Sequence, residues 1–217
     1  MKAYARMCGV SGLVFSALLV VALVLVKQAP TLASTDADYQ KFYAGGHSDD
    51  LVTLGLYIVP FAGIAFLWHM ATVRTLLRHV RSQGDEIPRF LQQASGVLFV
   101  AMLFAGSALV GAVALLSVFS HNPPPAPDIA RGLTSSGYGL VFVYGVRGAG
   151  MYLLTTTTLA RKGGLMATPV AIVSYVAGAF LLVSTTFHPA ILLVFPAWTA
   201  LIAVLALIRA RRPEVTS

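Results

Sequence analysis

The chain has 217 residues, 57% of them hydrophobic and 11% charged, with a formal charge of +7 and one cysteine. A soluble domain carries about 25% charged residues, so there is no room here for both a hydrophobic bundle and a large soluble domain. The positive charge does not point to nucleic acid, because the basic residues flank apolar runs, where they set orientation, and the lone Cys8 excludes both an intramolecular disulfide and a multi-cysteine metal site.

The first residues carry Lys2 and Arg6, and Gly9 to Val26 is apolar apart from Ser11 and Ser16. A signal peptide with the small-residue context Thr31-Leu32-Ala33 is one reading. The run is longer than a usual signal core and long enough to cross a bilayer, which favours a retained first span over 8–27. Cys8 precedes the run, unlike a lipoprotein acylation site, and reads as a small residue at a helix start. The polar stretch 28–50 contains Asp36, Asp38, Asp49, Asp50 and the Gly45-Gly46 pair. It is expected to be the first and longest outer loop.

A second span is expected over 51–72. Pro60 removes a backbone donor inside it and should kink it, and Gly63 should give a neighbour room. Trp68 and His69 approach the inner interface, where Trp anchors. Arg74, Arg78 and Arg81 recur at helical spacing, so this helix should continue into the cytoplasm until Gly84. Such a charge run makes a solvated face that can touch anionic headgroups. The third span, 94–119, holds two small-xxx-small pairs, Ser107 with Gly111 and Ala108 with Ala112, which favour close helix contact. Four prolines between Pro123 and Pro127 then give a stiff outer spacer.

The fourth span, 136–160, contains Arg147, the only formal charge within any apolar run. An arginine at bilayer depth costs roughly 2.5–3.5 kcal/mol on insertion scales. Counting back from Ala160 places Arg147 about 9 Å below the outer hydrocarbon boundary, at 1.5 Å rise per residue. Helical spacing puts Leu140, Val143, Tyr144, Met151, Leu154 and Thr158 on its side. Tyr138, Gly145, Ala149, Tyr152 and Thr156 fall opposite, where Gly145 and Ala149 form a third small-residue pair. Arg147 either snorkels, or bonds carbonyls opened near the glycines, or contacts a ligand together with Tyr144. The fifth span, 168–187, starts with Pro169 in its first turn. His188-Pro189 leaves almost no loop before the sixth span, 190–208, which includes Pro196 and Trp198 and is stopped by Arg209, Arg211 and Arg212. The spans show no internal repeat and no matched breaks in two halves of the kind an inverted-repeat transporter carries.

The distribution of Lys and Arg sets the expected topology. One side of the threading carries Lys2, Arg6, Arg74, Arg78, Arg81, Arg89, Arg161, Lys162, Arg209, Arg211 and Arg212; the other carries Lys27, Lys41 and Arg131. The fold class expected is therefore all-α, a polytopic bundle of six transmembrane helices with both termini cytoplasmic.

Candidate chemistry is sparse. His47, His121 and His188 collect on the outer side with Asp49, Asp50 and Asp128 in reach, a possible zinc set. They sit at three separate helix ends without HxxxH or HxxE spacing, so no metal or other cofactor is expected. His69 as a haem ligand lacks an axial partner at its depth. No acidic residue lies within a span and no GxSxG occurs, which disfavours intramembrane aspartyl and serine hydrolysis. The run Thr155 to Thr158 is expected to satisfy its hydroxyls on its own helix carbonyls.

The stretches Gly55-Leu56-Tyr57-Ile58-Val59-Pro60-Phe61-Ala62-Gly63-Ile64-Ala65-Phe66-Leu67-Trp68 and Phe195-Pro196-Ala197-Trp198 resemble a group of uncharacterised six-span actinobacterial membrane proteins. The resemblance runs through most of the hydrophobic part and implies a plasma-membrane protein. It carries no activity and no site residues to transfer. From the residues themselves, the first functional expectation is a non-enzymatic accessory or assembly subunit, partnered by the bilayer and by other membrane proteins through its small-residue faces, not by nucleic acid. A small carrier or binder of an anionic or amphipathic solute using Arg147 is the alternative, and a membrane enzyme the second alternative.

Overall fold

The computed structural model describes residues 2–27, 29–44, 48–78, 86–119 and 125–211. These residues form helices and no strands. In chain order they are α1 (Lys2–Val26), α2 (Asp36–Ala44), α3 (Ser48–Thr53) running through a π-helical turn (Leu54–Ile58) into α4 (Val59–Arg78), and α5 (Glu86–Phe119). Next come α6 (Pro127–Tyr138), running through a second π-helical stretch (Gly139–Gly145) into α7 (Val146–Lys162), then α8 (Thr168–Val183) and α9 (Ile191–Arg211).

Helices α1, α5 and α9 are each long and apolar enough to cross a membrane, and α8 is a shorter apolar helix. Their outward faces expose large hydrophobic side chains, such as Val10, Val24, Val97, Val176 and Leu201, and so does α4 at Phe61. A water-soluble bundle would hide such a surface; a membrane protein presents it to lipid.

The helices start and stop where local chemistry dictates, and this moves several expected boundaries. Helix α1 begins at Lys2 rather than at 8, and α5 begins at Glu86 rather than at 94, because the flanking polar turns are themselves helical. Helix α6 starts at Pro127, where the missing N–H costs nothing and φ is already helical, so the helical rod leading into the fourth apolar run begins well ahead of 136. Helix α8 ends at Val183 rather than at 187, with Ser184 extended at ψ 133°. The link to α9 is therefore longer than expected. Gly84, Arg81, the Gly45-Gly46 pair, Pro123 and Pro124 lie outside the described residues.

The expected kink at Pro60 takes the form of the π turn. A proline cannot donate to the carbonyl one turn back, and its ring crowds that carbonyl. Widening the turn just ahead of it relieves the crowding: Val59 N–H reaches back five residues to Leu54 O. The second π stretch is bounded by Gly139 and Gly145, with Val146 N–H on Val141 O.

Successive long helices run antiparallel. Gly9 of α1 lies against Leu207 and Gly12 against Ala203 of α9, while Ser16 Oγ donates to Pro196 O at 2.9 Å. Helix α1 packs most extensively on α9 and α4, α5 on α7, and α7 on α8. Bare glycine backbone sets two of these approaches. A Cβ on Gly137 would stand 2.6 Å from Gly106 O, and one on Gly150 3.0 Å from Gly178 O. As expected, Gly63 makes room, here for the ring of Phe104.

Aromatic rings fill the centre. Phe66 is fully buried with ring centroids 4.9 Å from Phe15, 5.3 Å from Phe99, 5.1 Å from Tyr152 and 5.4 Å from Phe195. Most of these contacts are edge-to-face or tilted, the arrangement aromatic quadrupoles favour.

The stretch expected to be only a loop, 28–50, contains a docked cap. Thr35 and Asp38 form a reciprocal capping box: Thr35 N–H and Oγ1 both donate to Asp38 Oδ2, at 2.9 and 2.7 Å, and Asp38 N–H donates to Thr35 Oγ1 at 3.3 Å. Helix α2 is then tied to α6 by Arg131, which bonds Asp36 Oδ1 at 2.6 Å, Asp128 Oδ1 at 3.0 Å and Ser34 O at 3.2 Å. Its guanidinium also lies 5.1 Å from the centre of the Tyr39 ring. Beneath, Tyr39, Tyr43, Leu51, Val110, Val113 and Ala130 make a second, smaller core.

Candidate functional site

The end of the bundle where α1 begins and α9 ends collects most of the buried polar side chains. His69 on α4 is fully buried against α1, its Nδ1 2.9 Å from Cys8 O and 3.7 Å from Cys8 Sγ. A carbonyl accepts only, so Nδ1 carries the proton and spends it on Cys8 O. The pair is therefore not a thiol facing a base, and Cys8 stays a small buried residue near the helix start, as its sequence context suggested. Thr72 closes the group by donating to His69 O at 2.8 Å.

A second polar pair crosses from α5 to α7. Gln92 Nε2 donates to Thr156 Oγ1 at 3.2 Å, both side chains buried. The neighbouring threonines behave as expected: Thr155, Thr157 and Thr158 donate to carbonyls one turn back at 2.7, 2.8 and 2.9 Å. Thr156 is the exception, pulled out of that pattern by Gln92. The phenol of Tyr152 lies beside this pair, facing the Thr156 and Gln92 side chains, and His69 Nε2 has no hydrogen-bond partner among the described residues. Orphan buried polar atoms are rare in folded proteins.

Two cavities open at this end. The larger, about 370 Å³, lies between α1, α4, α7, the turn at Leu165-Met166, and α9. Val73, Leu76, Leu77, Ala160, Ile202 and Ala206 give it apolar walls, Cys8 and Thr156 belong to the polar groups just described, and the exposed Lys2 and Arg209 complete the lining. A size of 300–1,000 Å³, apolar walls and a few placed polar groups are the usual properties of a small-molecule site. The smaller cavity, about 200 Å³, is bounded by Arg74, Leu77 and Arg78 of α4 and by Arg89, Gln92 and Gln93 of α5. A third void, about 80 Å³ and wholly apolar in character, sits in the core nearer the other end, between residues such as Leu19, Leu103, Phe142 and Phe195.

The residues singled out from the sequence fall elsewhere. Arg147 is half-buried, and its Nη1 donates to Val143 O at 2.8 Å, a carbonyl of the second π stretch on its own helix. It lines none of these three cavities. Tyr144 is 58% exposed and turned outward. The faces assigned by helical spacing separate from Gly145 onward: Gly145, Ala149, Tyr152 and Thr156 are buried, while Leu140, Val143, Met151, Leu154 and Thr158 are half-buried; Tyr138, assigned to the first of these faces, is half-buried as well. His188 is exposed, its Nδ1 accepting from Ala190 N–H at 3.2 Å. His47 and His121 lie outside the described residues, and no group of three metal-ligating side chains occurs among those described. The structure thus places its candidate groups at Arg74, Arg78, Arg89, Gln92, Thr156 and Arg209. Of these, only Arg74 and Arg78 were marked in the sequence by their spacing.

The chain matches no protein-family model, no curated protein and no solved structure.

Proposed function

We propose that this protein crosses the cell membrane six times with both termini in the cytoplasm, and that it binds an amphiphile drawn from the inner leaflet. The lysine and arginine distribution supports the orientation. The helical continuity of α3 with α4 and of α6 with α7 through their π turns supports the number of crossings, since each pair then makes one long rod. Cysteines introduced at Thr35 and Ala126, in a Cys8→Ala background, react with an impermeant maleimide added outside; one at Gly163 reacts only from inside. Labelling of Gly163→Cys from outside refutes the topology.

The 370 Å³ cavity carries the functional reading. It joins apolar walls to two cations at the bundle end assigned to the cytoplasmic leaflet, and an amphiphile matches both. Purified protein studied by native mass spectrometry should retain bound lipid, and Ala160→Phe or Ala206→Phe, which fill the cavity, should release it. A control, Val176→Phe on the exposed face of α8, should not. Equal retention by all of them ends the reading.

Assembly with other membrane proteins is a second reading with its own observation. Ala101, Ala105 and Ala108 are exposed along one side of α5 and continue toward the half-buried Ala112. A partner helix could approach such a ridge closely, as α5 of this chain approaches Gly145 with Met102. The weak resemblance to six-span actinobacterial proteins fits either reading.

A further inference from the structure

The smaller cavity is built from the last turns of α4 and the first turns of α5, and its chemistry differs from that of its neighbour. Arg74 and Arg78 stand one turn apart on α4, on the same face. Arg89 approaches from α5, with Nη1 donating to Leu77 O at 3.3 Å. That bond satisfies a carbonyl near the end of α4 and fixes the guanidinium at the edge of the cavity. The exposed guanidiniums of Arg74 and Arg78, on one face of α4 beside a space of about 200 Å³, repel one another and favour an anion between them, with Arg89 at its rim. Guanidinium is also the cation suited to phosphate, because its fork of N–H donors matches two phosphate oxygens.

The two cavities share a wall. Leu77 lines both, and the Gln92–Thr156 hydrogen bond links them, since Gln92 faces the arginine cavity and Thr156 the apolar one. A cationic chamber beside an apolar chamber, at the bundle end assigned to the inner leaflet, fits a molecule with an anionic head and a hydrocarbon tail. Basic pockets between helices on the cytoplasmic side recognise such headgroups.

We propose that Arg74, Arg78 and Arg89 hold the phosphate headgroup of an amphiphile whose apolar chain enters the adjoining 370 Å³ cavity. This rests on the amphiphile reading above and adds the headgroup chemistry to it. A phosphate carried on a lipid is the occupant; free phosphate supplies the same head without the tail.

The test uses the full chain in detergent and three probes: dioctanoyl phosphatidic acid, dioctanoylglycerol, which lacks the phosphate, and inorganic phosphate, which lacks the tail. The protein should bind the phosphatidic acid most tightly. Arg74→Gln/Arg78→Gln, which breaks no side-chain hydrogen bond or ion pair among the described residues, should weaken it about thirtyfold and leave dioctanoylglycerol unchanged. Adding Arg89→Gln should weaken it further, and Arg74→Lys/Arg78→Lys should restore part of the loss. Rising salt should erode the preference in the parent and not in the double Gln variant. A double Gln variant that keeps the full preference overturns the headgroup assignment while leaving the amphiphile reading intact. Inorganic phosphate binding as tightly as the lipid overturns the lipid as occupant. If Ala160→Phe and Ala206→Phe alter the binding of neither lipid, the amphiphile reading fails, and this proposal with it.

Discussion

Phe66→Ala removes the ring at the hub of the aromatic core, and the expected cost follows from where that ring sits. In water, losing a buried phenylalanine costs about 3–5 kcal/mol, the sum of a transfer term and a cavity term. Among lipid-embedded helices the transfer term is largely absent, because lipid tails are as apolar as the core. What remains is the void and the lost ring contacts. A cavity of about 100 Å³ at about 24 cal/mol per Å³ costs about 2.4 kcal/mol. Phe66 makes four ring contacts between 4.9 and 5.4 Å. Such pairs are worth about 0.5–1.5 kcal/mol each in isolation, and partial relaxation of Phe15, Phe99, Tyr152 and Phe195 recovers part of that. A total near 3 kcal/mol is expected, with about half of it recovered by Phe66→Leu. Reversible unfolding in mixed micelles measures the difference directly. Phe61→Ala, on the same helix but 57% exposed, is the control and should lie within about 0.5 kcal/mol of the parent. Equal effects at positions 61 and 66 would refute the account of the core as an interlocked ring cluster.

Gly137→Leu drives a side chain into Gly106 O and Val110 and should separate α6 from α5, at a cost of at least about 1–3 kcal/mol in the same assay; unchanged stability would show that the two backbones do not meet there. Arg147→Leu should not lower the melting midpoint, because among the described residues its guanidinium bonds only to its own helix, at Val143 O; a clear destabilisation would assign Arg147 a partner on another helix. Thr35 holds the Asp38 carboxyl below its ordinary range, first through its hydroxyl and then through its N–H. The folded value lies below the unfolded one, so this contribution to α2 is complete above the ordinary aspartate pKa and lost as pH falls through the lowered value. Amide exchange in α2, corrected for intrinsic rate, should be flat from pH 7 to 5 and rise only in stronger acid, and Asp38→Asn should abolish that dependence. Burial pushes the Tyr43 phenol up to about 12. Its contribution is fully present below the ordinary tyrosine pKa and lost as pH rises from there through about 12, so an absorbance titration should show one fewer late-ionising tyrosine in Tyr43→Phe.

What could be read from the sequence was whatever depends on a periodic pattern. Apolar runs bounded by arginine became helices, and the spacing of Arg74 and Arg78 carried α4 past its apolar stretch. Of the face assigned by angle alone, Gly145, Ala149, Tyr152 and Thr156 are buried and Tyr138, ahead of the π stretch, is half-buried. The capping box at Thr35 and Asp38 was present as a motif, but a polar stretch between two spans reads as loop unless its caps are checked one by one. The π turns leave a fainter trace. Pro60 marks one and flanking glycines the other, yet a one-residue widening changes no hydrophobic period. The cavities were illegible for a different reason. Arg89 meets Arg74 and Arg78 only because α4 and α5 pack side by side, and Thr156 looks like its three neighbours until Gln92 arrives from another helix.

Helix α8 has 16 residues and so spans about 24 Å, against about 51 Å for the 34-residue α5. A hydrocarbon layer is about 30 Å thick. Lipid touching α5 meets apolar side chains along its whole depth, whereas lipid touching α8 runs out of helix at Val183 and meets Ser184, Thr185 and Thr186. On the six-crossing proposal, in which α8 is one of the spans, the bilayer pinches on one flank of the molecule and relaxes on the other. Shorter or less ordered acyl chains gather at the pinched flank, at a cost of fractions of a kcal/mol per ångström of mismatch. Two such molecules lower the combined deformation by sharing one dent, so membrane thickness by itself would bring α8 flanks together and vary their clustering with the acyl-chain length of the host membrane.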